Sequence, residues 1–187
     1  PDPMQHVATG AGKVYLIYFD PSDTNHYPNI GNPLLSDTVS LSLVGQPNGI
    51  PGVVFNGVAL GDQTGFSVAG GGKFTPGGGT DILIGAPGAD PGSRADAGAA
   101  YVVFDNPLLS GNVSLTRISS GLPDQIPGKA FLGSDPGDNL GFSTAFAGAV
   151  VSGLTVSNGS VLMGAPAAAA SRGTVIVAPG DPDTTPS

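Results

Sequence analysis

The chain of 187 residues contains no cysteine and carries little positive charge. The absence of cysteine excludes disulfides, thiol catalysis, Cys-ligated zinc sites and iron–sulfur clusters. Lys and Arg together number six and are scattered along the sequence, whereas nucleic-acid binding needs clustered basic residues. The same scarcity argues against binding to an anionic membrane surface. We therefore expect neither nucleic acid nor a membrane surface among its partners.

Long apolar runs and glutamate are also missing. No stretch of about 18 apolar residues is present, so the sequence predicts no membrane-spanning helix. All 14 acidic residues are aspartate. Glutamate favours helices and aspartate favours turns, so this bias predicts β structure with many loops. The net charge of −8 is compatible with simple solubility or with binding of divalent cations.

Glycine and proline are abundant, at 31 and 18 residues, and between them lie short apolar runs. These runs are rich in β-branched and aromatic residues, which is typical of strands. The predicted strands are Val14–Phe19, Ile82–Ile84, Tyr101–Phe104, Val161–Met163 and Thr174–Val177. Apolar residues alternate over 38–43, which predicts a strand with one buried face. The alanine-rich segment 165–170 predicts a loop or one short turn, so we expect an all-β fold.

The sequence repeats itself. Residues 32–44 (NPLLSDTVSLSLV) and 106–118 (NPLLSGNVSLTRI) are near-copies, 74 residues apart. Three further segments recur. GDQTGFSVAG at 61–70 returns as GDNLGFSTAF at 137–146, and ILIGAPGA at 82–89 returns as VLMGAPAA at 161–168. AGKVYLIYFDP at 11–21 returns as AGAAYVVFDNP at 97–107, and weakly as SRGTVIVAP at 171–179. An insertion at 21–31 lengthens the first copy. Such self-similarity indicates an array of units that supplies a surface for binding or assembly.

Each unit is predicted to contain four strands, which we call a (GFSVAG), b (TDILIGAP), c (GAAYVVF) and d (VSLTRI). The chain then runs c-d, a-b-c-d, a-b-c, or about two and a half units. The predicted divisions are a tail at 1–10, a half-unit at 11–59, a unit at 60–135, a partial unit at 136–178 and a tail or linker at 179–187.

The repeated residues resemble the FG-GAP repeat. The matching residues are Gly65, Ser67, Gly85, Ala86, Pro87 and Gly98 in the complete unit, and Gly141, Ser143, Gly164, Ala165, Pro166 and Gly173 in the partial unit. One departure is that Thr64 and Leu140 stand where the repeat has an aromatic residue, while Phe66 and Phe142 follow the glycines. The resemblance implies the β-propeller of integrin α subunits and of many bacterial surface proteins. It therefore also implies an extracellular or cell-surface location.

Two and a half FG-GAP-like blades would form an incomplete ring, because propellers typically have 4–8 four-stranded blades. An incomplete array leaves open sheet edges, which invite pairing with another chain. Three arrangements stay open: a fragment of a longer propeller, a ring of several copies, and a filament of copies added head to tail. The expected partners are copies of this chain or the rest of a longer propeller.

In the FG-GAP family, the loop between the first two strands often binds calcium through spaced Asp and Asn residues. Calcium takes 6–8 oxygen ligands. The first such loop here, 70–81, keeps only Asp81 and adds Lys73, and the second, 147–160, has Ser160 in place of the aspartate. The sequence therefore predicts that both calcium sites are lost. Asp81 remains as a candidate ligand, and no cofactor is expected.

Four residues are predicted to shape turns. Asp62 and Asp138 lie in the two Gly-Asp-x-x-Gly motifs, where an aspartate side chain can hydrogen-bond the nearby backbone. Asn158 and Gly159 form the strongest short signal for a tight hairpin turn. These four residues are expected to serve the architecture rather than chemistry.

No catalytic constellation is found in the sequence. His6 and His26, the two histidines, lie outside the repeated motifs, and no Gly-x-Ser-x-Gly nucleophile motif is present. Asn112 and Asn158 fit the N-glycosylation pattern, whose use depends on the host. Tyr15, Tyr18, Tyr27 and Tyr101 can stack on sugar rings, but Tyr15 and Tyr101 recur within predicted strands, which favours packing.

We therefore expect a non-enzymatic extracellular protein with a role in adhesion, binding or structure, without catalytic residues. It is expected to join a larger surface assembly or filament through pairing of strands from incomplete blades. The alternative is a carbohydrate- or protein-binding accessory domain of a larger secreted enzyme. A third possibility, a hydrolase with paired aspartates, needs carboxyl groups at the right separation, and no aspartate pair is singled out by apolar surroundings.

Overall fold

The computed structural model of the protein describes residues 10–18, 39–75, 79–118, 120–149, 151–152, 155–156 and 159–180. Over these ranges the strands are β1 (Lys13–Ile17), β2 (Gly52–Asn56), β3 (Ser67–Gly72), β4 (Asp81–Ala86), β5 (Ala99–Val103), β6 (Gly111–Ser114), β7 (Gly128–Leu132), β8 (Ser143–Ala147), β9 (Val151–Ser152), β10 (Thr155–Val156), β11 (Ser160–Ala165) and β12 (Thr174–Pro179). The helical segments are three 3-10 turns, Leu41–Leu43, Pro91–Ser93 and Leu115–Arg117, and the four-residue turn Ala168–Ser171. The predicted all-β class is confirmed.

The strands form three larger sheets and one small ribbon. The first sheet has the order β1-β2-β6, in which β1 is antiparallel and β6 parallel to β2. The middle sheet, β3-β4-β5-β7, and the third sheet, β12-β11-β8, are antiparallel throughout. Strands β9 and β10 pair as a ribbon between β8 and β11. None of these sheets closes into a barrel over the described ranges.

The middle sheet is buried on both faces because successive side chains of a strand point to opposite sides. The first interface, toward the first sheet, includes Val53, Phe55, Ile84, Tyr101 and Val103. The second interface, toward the third sheet, includes Leu83, Ala100, Val102, Val161 and Met163. Each large apolar side chain buried in this way contributes roughly 1.5–3 kcal/mol. Apolar contact between sheets therefore holds the stack together.

The alternating run at 38–43, described from residue 39 onward, is not the predicted strand. Leu41–Leu43 forms a 3-10 turn instead. The repeat counterpart of this run divides into β6 and the 3-10 turn Leu115–Arg117. The hydroxyl of Ser114 accepts a hydrogen bond from the amide of Thr116 at 3.3 Å. Such a local side-chain bond competes with the strand ladder, which explains why the strand stops there.

The predicted strand d also belongs to another sheet. Its first part lies in β6, which pairs with β2 rather than with the middle sheet. The fourth strand of the middle sheet is β7, which pairs with β5 as β2 pairs with β1. The repeating unit is therefore β3-β4-β5-β7. In the first sheet, β1 and β2 correspond to β5 and β7, the second half of this unit. In the third sheet, β8, β11 and β12 correspond to β3, β4 and β5, its first three strands.

Helical structure is minimal in the described chain. In the turn Ala168–Ser171, the last three residues have positive φ values of 54°, 57° and 66°. This geometry is a left-handed turn, in line with the loop or short turn expected for the alanine-rich segment. No helix in the described part is both long and apolar enough to cross a membrane.

Candidate functional site

The motif serines and glycines face each other across neighbouring strands. Ser67 of β3 lies opposite Gly85 of β4, and Ser143 of β8 lies opposite Gly164 of β11. A Cβ atom at either glycine would overlap with the serine hydroxyl opposite it. At Gly85 a Cβ would also overlap the backbone carbonyl of Gly141, which cannot rotate away, whereas at Gly164 the close atom is the hydroxyl of Ser143.

Each Gly-Asp-x-x-Gly motif forms a turn that leads into a new sheet. We call residues 61–65 and 137–141 the two linking turns. In both, the first, third and fifth residues have positive φ, with values between 56° and 95°. Asp62 and Asp138 each accept a hydrogen bond from the backbone amide three residues earlier, at 2.8 and 3.2 Å. The two carboxylates thus hold the two linking turns in the same way.

Each linking turn docks on the end of the sheet before it. Thr64 forms a parallel bridge with Gly12 of the first sheet, and Leu140 forms the same bridge with Gly98 of the middle sheet. The amides of Thr64 and Leu140 donate to the carbonyl of the residue before that glycine, both at 3.0 Å. A side chain at Gly12 or Gly98 would overlap the backbone of the docked turn. The repeated glycine therefore marks a docking point.

Side chains also join the second linking turn to the motif residues Ser67 and Pro87. The hydroxyl of Ser67 donates to the carbonyl of Gly141 at 2.8 Å, and the side-chain amide of Asn139 donates to the carbonyl of Pro87 at 3.2 Å. Leu140 between them is 3% exposed. The motif residues of the middle sheet thus form a receptor surface for this turn.

A groove of about 360 Å³ lies at the corresponding end of the third sheet. It is lined by Phe142, Ser143, Gly164, Ala165, Pro166, Arg172, Gly173, Thr174 and Val175. These residues are repeat counterparts of the middle-sheet residues at and around the docked turn. Ser143 corresponds to Ser67, Pro166 to Pro87 and Gly173 to Gly98. We identify this third-sheet groove as the candidate functional site.

The outer face of the third sheet is apolar and exposed beside the groove. Val175 and Val177 of β12 are 68% and 50% exposed, whereas their counterparts in β5, Ala100 and Val102, are fully buried. Exposed apolar side chains grouped on one surface mark sites of interaction. On the middle sheet the same face is covered by the second interface.

The structure gives Asp81 a different role from that of a metal ligand. Its carboxylate is 1% exposed and accepts three backbone amides, from Phe74 at 2.6 Å, Asp105 at 2.9 Å and Thr75 at 3.3 Å. No group of three or more His, Asp or Glu side chains is placed to hold a metal among the described residues. Calcium takes 6–8 oxygen ligands, whereas both carboxylate oxygens of Asp81 are engaged by backbone amides.

The predicted hairpin turn at Asn158 and Gly159 falls partly outside the described residues. Asn158 lies outside them, and Gly159 packs against the carbonyl of Lys73 so closely that a Cβ would overlap it. The ribbon of Val151–Ser152 and Thr155–Val156 is the described hairpin in this segment.

The remaining candidates do not form a site. Tyr101 is buried in the first interface, so it packs rather than stacking on a sugar ring. Its burial, and secondly the negative charge of Asp62, raise the pKa of Tyr101 to about 12. Asn112 is exposed on the edge strand β6. His6 and His26 lie outside the described residues.

Sequence reasoning placed Val175 and Val177 in a predicted strand and counted Val175 among the residues that match the repeat, but it assigned no binding role to Arg172, Val175 or Val177. A signal was available, because aligning SRGTVIVAP with AGAAYVVFDNP places the two valines at the positions of Ala100 and Val102. The weak similarity of these segments concealed it.

Comparison with known proteins identifies no family for this chain. No family model matches the sequence, and no curated protein is significantly similar to it. The resemblance to the FG-GAP repeat therefore rests on the motif residues themselves.

Proposed function

We propose that this chain is a non-enzymatic adhesion or structural module, built from FG-GAP-like β-propeller blades, within a larger extracellular assembly. The observation that carries the proposal is the difference between two equivalent faces. The middle sheet is covered on both faces, whereas the third sheet leaves the corresponding face open and apolar. The contacts that join sheets inside the chain are therefore available to join it to a further sheet.

The strand order supports a propeller blade as the repeating unit. Strands β3, β4, β5 and β7 follow one another as antiparallel neighbours, which is the arrangement of a four-stranded blade. Strands β3 and β8, the first strands of two successive units, lie next to each other, as the inner strands of neighbouring blades do. The described chain supplies parts of three units, fewer than the 4–8 blades of a typical ring.

The free edge of β12 supports strand pairing as one mode of assembly. In the middle sheet the outer side of β5 is paired with β7. The corresponding side of β12 has no partner strand among the described residues. Open edges with free N–H and C=O groups attract a further strand. The expected partners are copies of this chain or the rest of a longer propeller.

The polar side chains support a non-catalytic role. Asp62, Asp81 and Asp138 all accept hydrogen bonds from backbone amides, and Ser67 donates to a docked turn. No histidine is present in the described ranges to activate a serine. These polar groups therefore organise loops and turns. The extracellular location rests on the family resemblance.

The proposal is tested with Val177→Asp, which places a charge on the open face. Leu122→Asp is the matched control, because Leu122 is 59% exposed on a loop away from that face. Light scattering and negative-stain electron microscopy follow the size of each variant. We expect the unmodified chain and the Leu122 variant to form rings or fibres, and the Val177 variant to remain monomeric.

If the unmodified chain proves to be a monomer, hydrogen exchange of the β12 backbone amides distinguishes two explanations. A monomer with rapidly exchanging β12 amides supports completion of the propeller by a longer polypeptide. A soluble monomer whose β12 edge amides are protected would contradict the proposal. Hydrolytic activity that is lost when one aspartate is replaced would overturn its non-enzymatic part.

A further inference from the structure

We infer that the third-sheet groove binds a linking turn of the type Gly-Asp-x-Leu-Gly-Phe, supplied by a further repeat unit of a longer propeller, because a second copy of this chain has its own turn of this type docked on its middle sheet. This inference rests on the proposed function and names the segment through which the next unit attaches. The partner is identified by the second linking turn, which carries this sequence and occupies the equivalent surface on the middle sheet.

Arg172, Pro166 and Ser143 line the groove, and they are the repeat counterparts of Ala97, Pro87 and Ser67 on the occupied surface. The polar groups compared are the carbonyl oxygens of Arg172 and Pro166 and the hydroxyl of Ser143. On the middle sheet, their counterparts bind the leucine amide, the asparagine side chain and the final glycine carbonyl of the docked turn. The three groups of the groove make no such hydrogen bonds with the described residues. A second turn of this kind would satisfy all three.

The backbone at the groove also has the shape of the occupied surface. Gly173 has a φ of 75°, close to the 82° of Gly98, against which the second linking turn docks. Gly164 lies beside the serine hydroxyl without a Cβ, as Gly85 does. An approaching turn therefore meets the same bare backbone on both sheets.

The apolar part of the groove favours leucine at the fourth position of the turn. Leu140 is buried in the second interface, where the counterpart of Val175 also lies. Thr64, which takes this place at the first interface, leaves its buried hydroxyl without a hydrogen-bond partner in the described structure. Phe142 extends the site. On the middle sheet its counterpart Phe66 has its ring centre 4.9 Å from the ring centre of Phe142, the residue that follows the docked turn. Phe142 can contact the phenylalanine of a further turn in the same way.

The test uses the full chain, diluted until light scattering shows a monomer, and a fluorescein-labelled peptide, SDPGDNLGFSTAF, which copies residues 134–146. Fluorescence anisotropy measures binding, and amide chemical shifts locate it. We expect saturable binding with shifts at Gly173 and Val175. A control peptide with aspartate in place of the leucine is expected to bind at least tenfold more weakly, because a charge cannot enter the apolar groove without loss of hydration.

Variants of the chain test the groove from the other side. Val175→Arg is expected to weaken peptide binding at least tenfold by filling the groove with a charged side chain. Ser143→Ala removes one hydrogen bond and is expected to weaken binding about fivefold. Leu122→Arg, on an exposed loop away from the groove, is expected to leave binding unchanged.

The outcomes separate this inference from the proposed function. Absence of saturable binding, equal binding of the two peptides, or shifts centred on Gly98 would overturn the inference. If the peptide fails while Val177→Asp still disrupts assembly, the proposed function stands and only the inference fails. If the peptide binds a chain that is monomeric on its own, the groove is established independently of self-assembly.

Discussion

Gly85 and Gly98 are restricted to glycine by the backbone of a docked turn, and Gly164 lies against the hydroxyl of Ser143 on the neighbouring strand. At each of these positions two chain segments come into direct contact. The motif that resembles the FG-GAP repeat is thus explained residue by residue as packing. The aspartates of the linking turns fit the same explanation, since each holds the backbone that makes the contact.

Gly85→Ala is expected to destabilise the protein by about 3 kcal/mol or more, because the new Cβ overlaps the carbonyl of Gly141. Backbone atoms of a docked turn cannot move aside without loosening the second interface. Gly70→Ala is the control, because no atom lies within 4 Å of its Cβ position. That change is expected to be neutral or to stabilise by up to about 1 kcal/mol. Urea unfolding compares the two, and equal effects would contradict the packing explanation.

Tyr101 is expected to make stability sensitive to alkaline pH. Burial, and then Asp62, raise the pKa of Tyr101 from 10.0 to about 12. The folded state therefore favours the neutral phenol, so this stabilisation is complete below pH 10 and is lost as the pH rises through 12. The loss corresponds to about 2–3 kcal/mol.

Urea unfolding between pH 9 and pH 12 measures this effect. The Tyr101→Phe variant is expected to lack that part of the decline, whereas Tyr15→Phe, at a more exposed position, is expected to keep it. A decline of the same size in all three proteins would show that Tyr101 is not its source.

At the scale of strands, the sequence predicts best where the apolar signal is strongest. Strands β4, β5, β11 and β12 coincide with predicted strands, because each is a run of apolar or β-branched residues between glycines and prolines. Strands β2 and β7 were not predicted: β2 was missed although its sequence GVVFN is apolar, and the sequence GKAFL of β7 carries little pattern. Lys129 of β7 lies 5.6 Å from the ring centre of Phe74, a contact that no local pattern reveals.

The segment that repeats most closely in the sequence does not form one continuous strand. The near-copies at 32–44 and 106–118 suggested the fourth strand of each unit, yet in the second copy the segment gives the edge strand β6 and a 3-10 turn. Alternation predicts which side chains are buried, and Val113, Leu115 and Ile118 are indeed buried. It does not distinguish a strand from a turn that buries the same residues.

Ser67→Ala is expected to lower the free energy of unfolding by about 1 kcal/mol, because Ser67 donates the hydrogen bond that ties the middle sheet to the second linking turn. Ser143→Ala, its counterpart on the third sheet, is expected to change the stability of the monomer little, since no turn is docked there in the described structure. Thermal or urea unfolding of dilute monomer measures both. A larger loss for Ser143 would contradict the equivalence of the two sheet ends.

At the scale of the whole molecule, three sheets stack so that the middle one has another sheet packed on each of its faces. The predicted boundaries after residues 59 and 135 lie between β2 and β3 and between β7 and β8, where the chain passes from one sheet to the next. The two ends of the stack differ. The first sheet has its outer Val54 covered by Val44 and Ile50, whereas the third sheet leaves Val175 and Val177 open.

In the proposed assembly, this asymmetry would set a direction. The end with Val175 and Val177 is expected to receive the next unit, which is why both proposed tests place their decisive substitution there. The control residue Leu122 belongs to neither interface.

The sequence by itself determined the all-β class, the repeat and the positions of the motif glycines, because these depend on residue type, local turn chemistry and short-range alternation. Tertiary structure alone decided that β7 rather than β6 completes the middle sheet, and that β6 pairs with β2. Those pairings join residues such as Val53 and Gly111, far apart in the chain. The tertiary structure also decided which face of the third sheet stays open. Burial of a strand depends on the sheet that packs against it, and the strand's own sequence pattern does not contain that information.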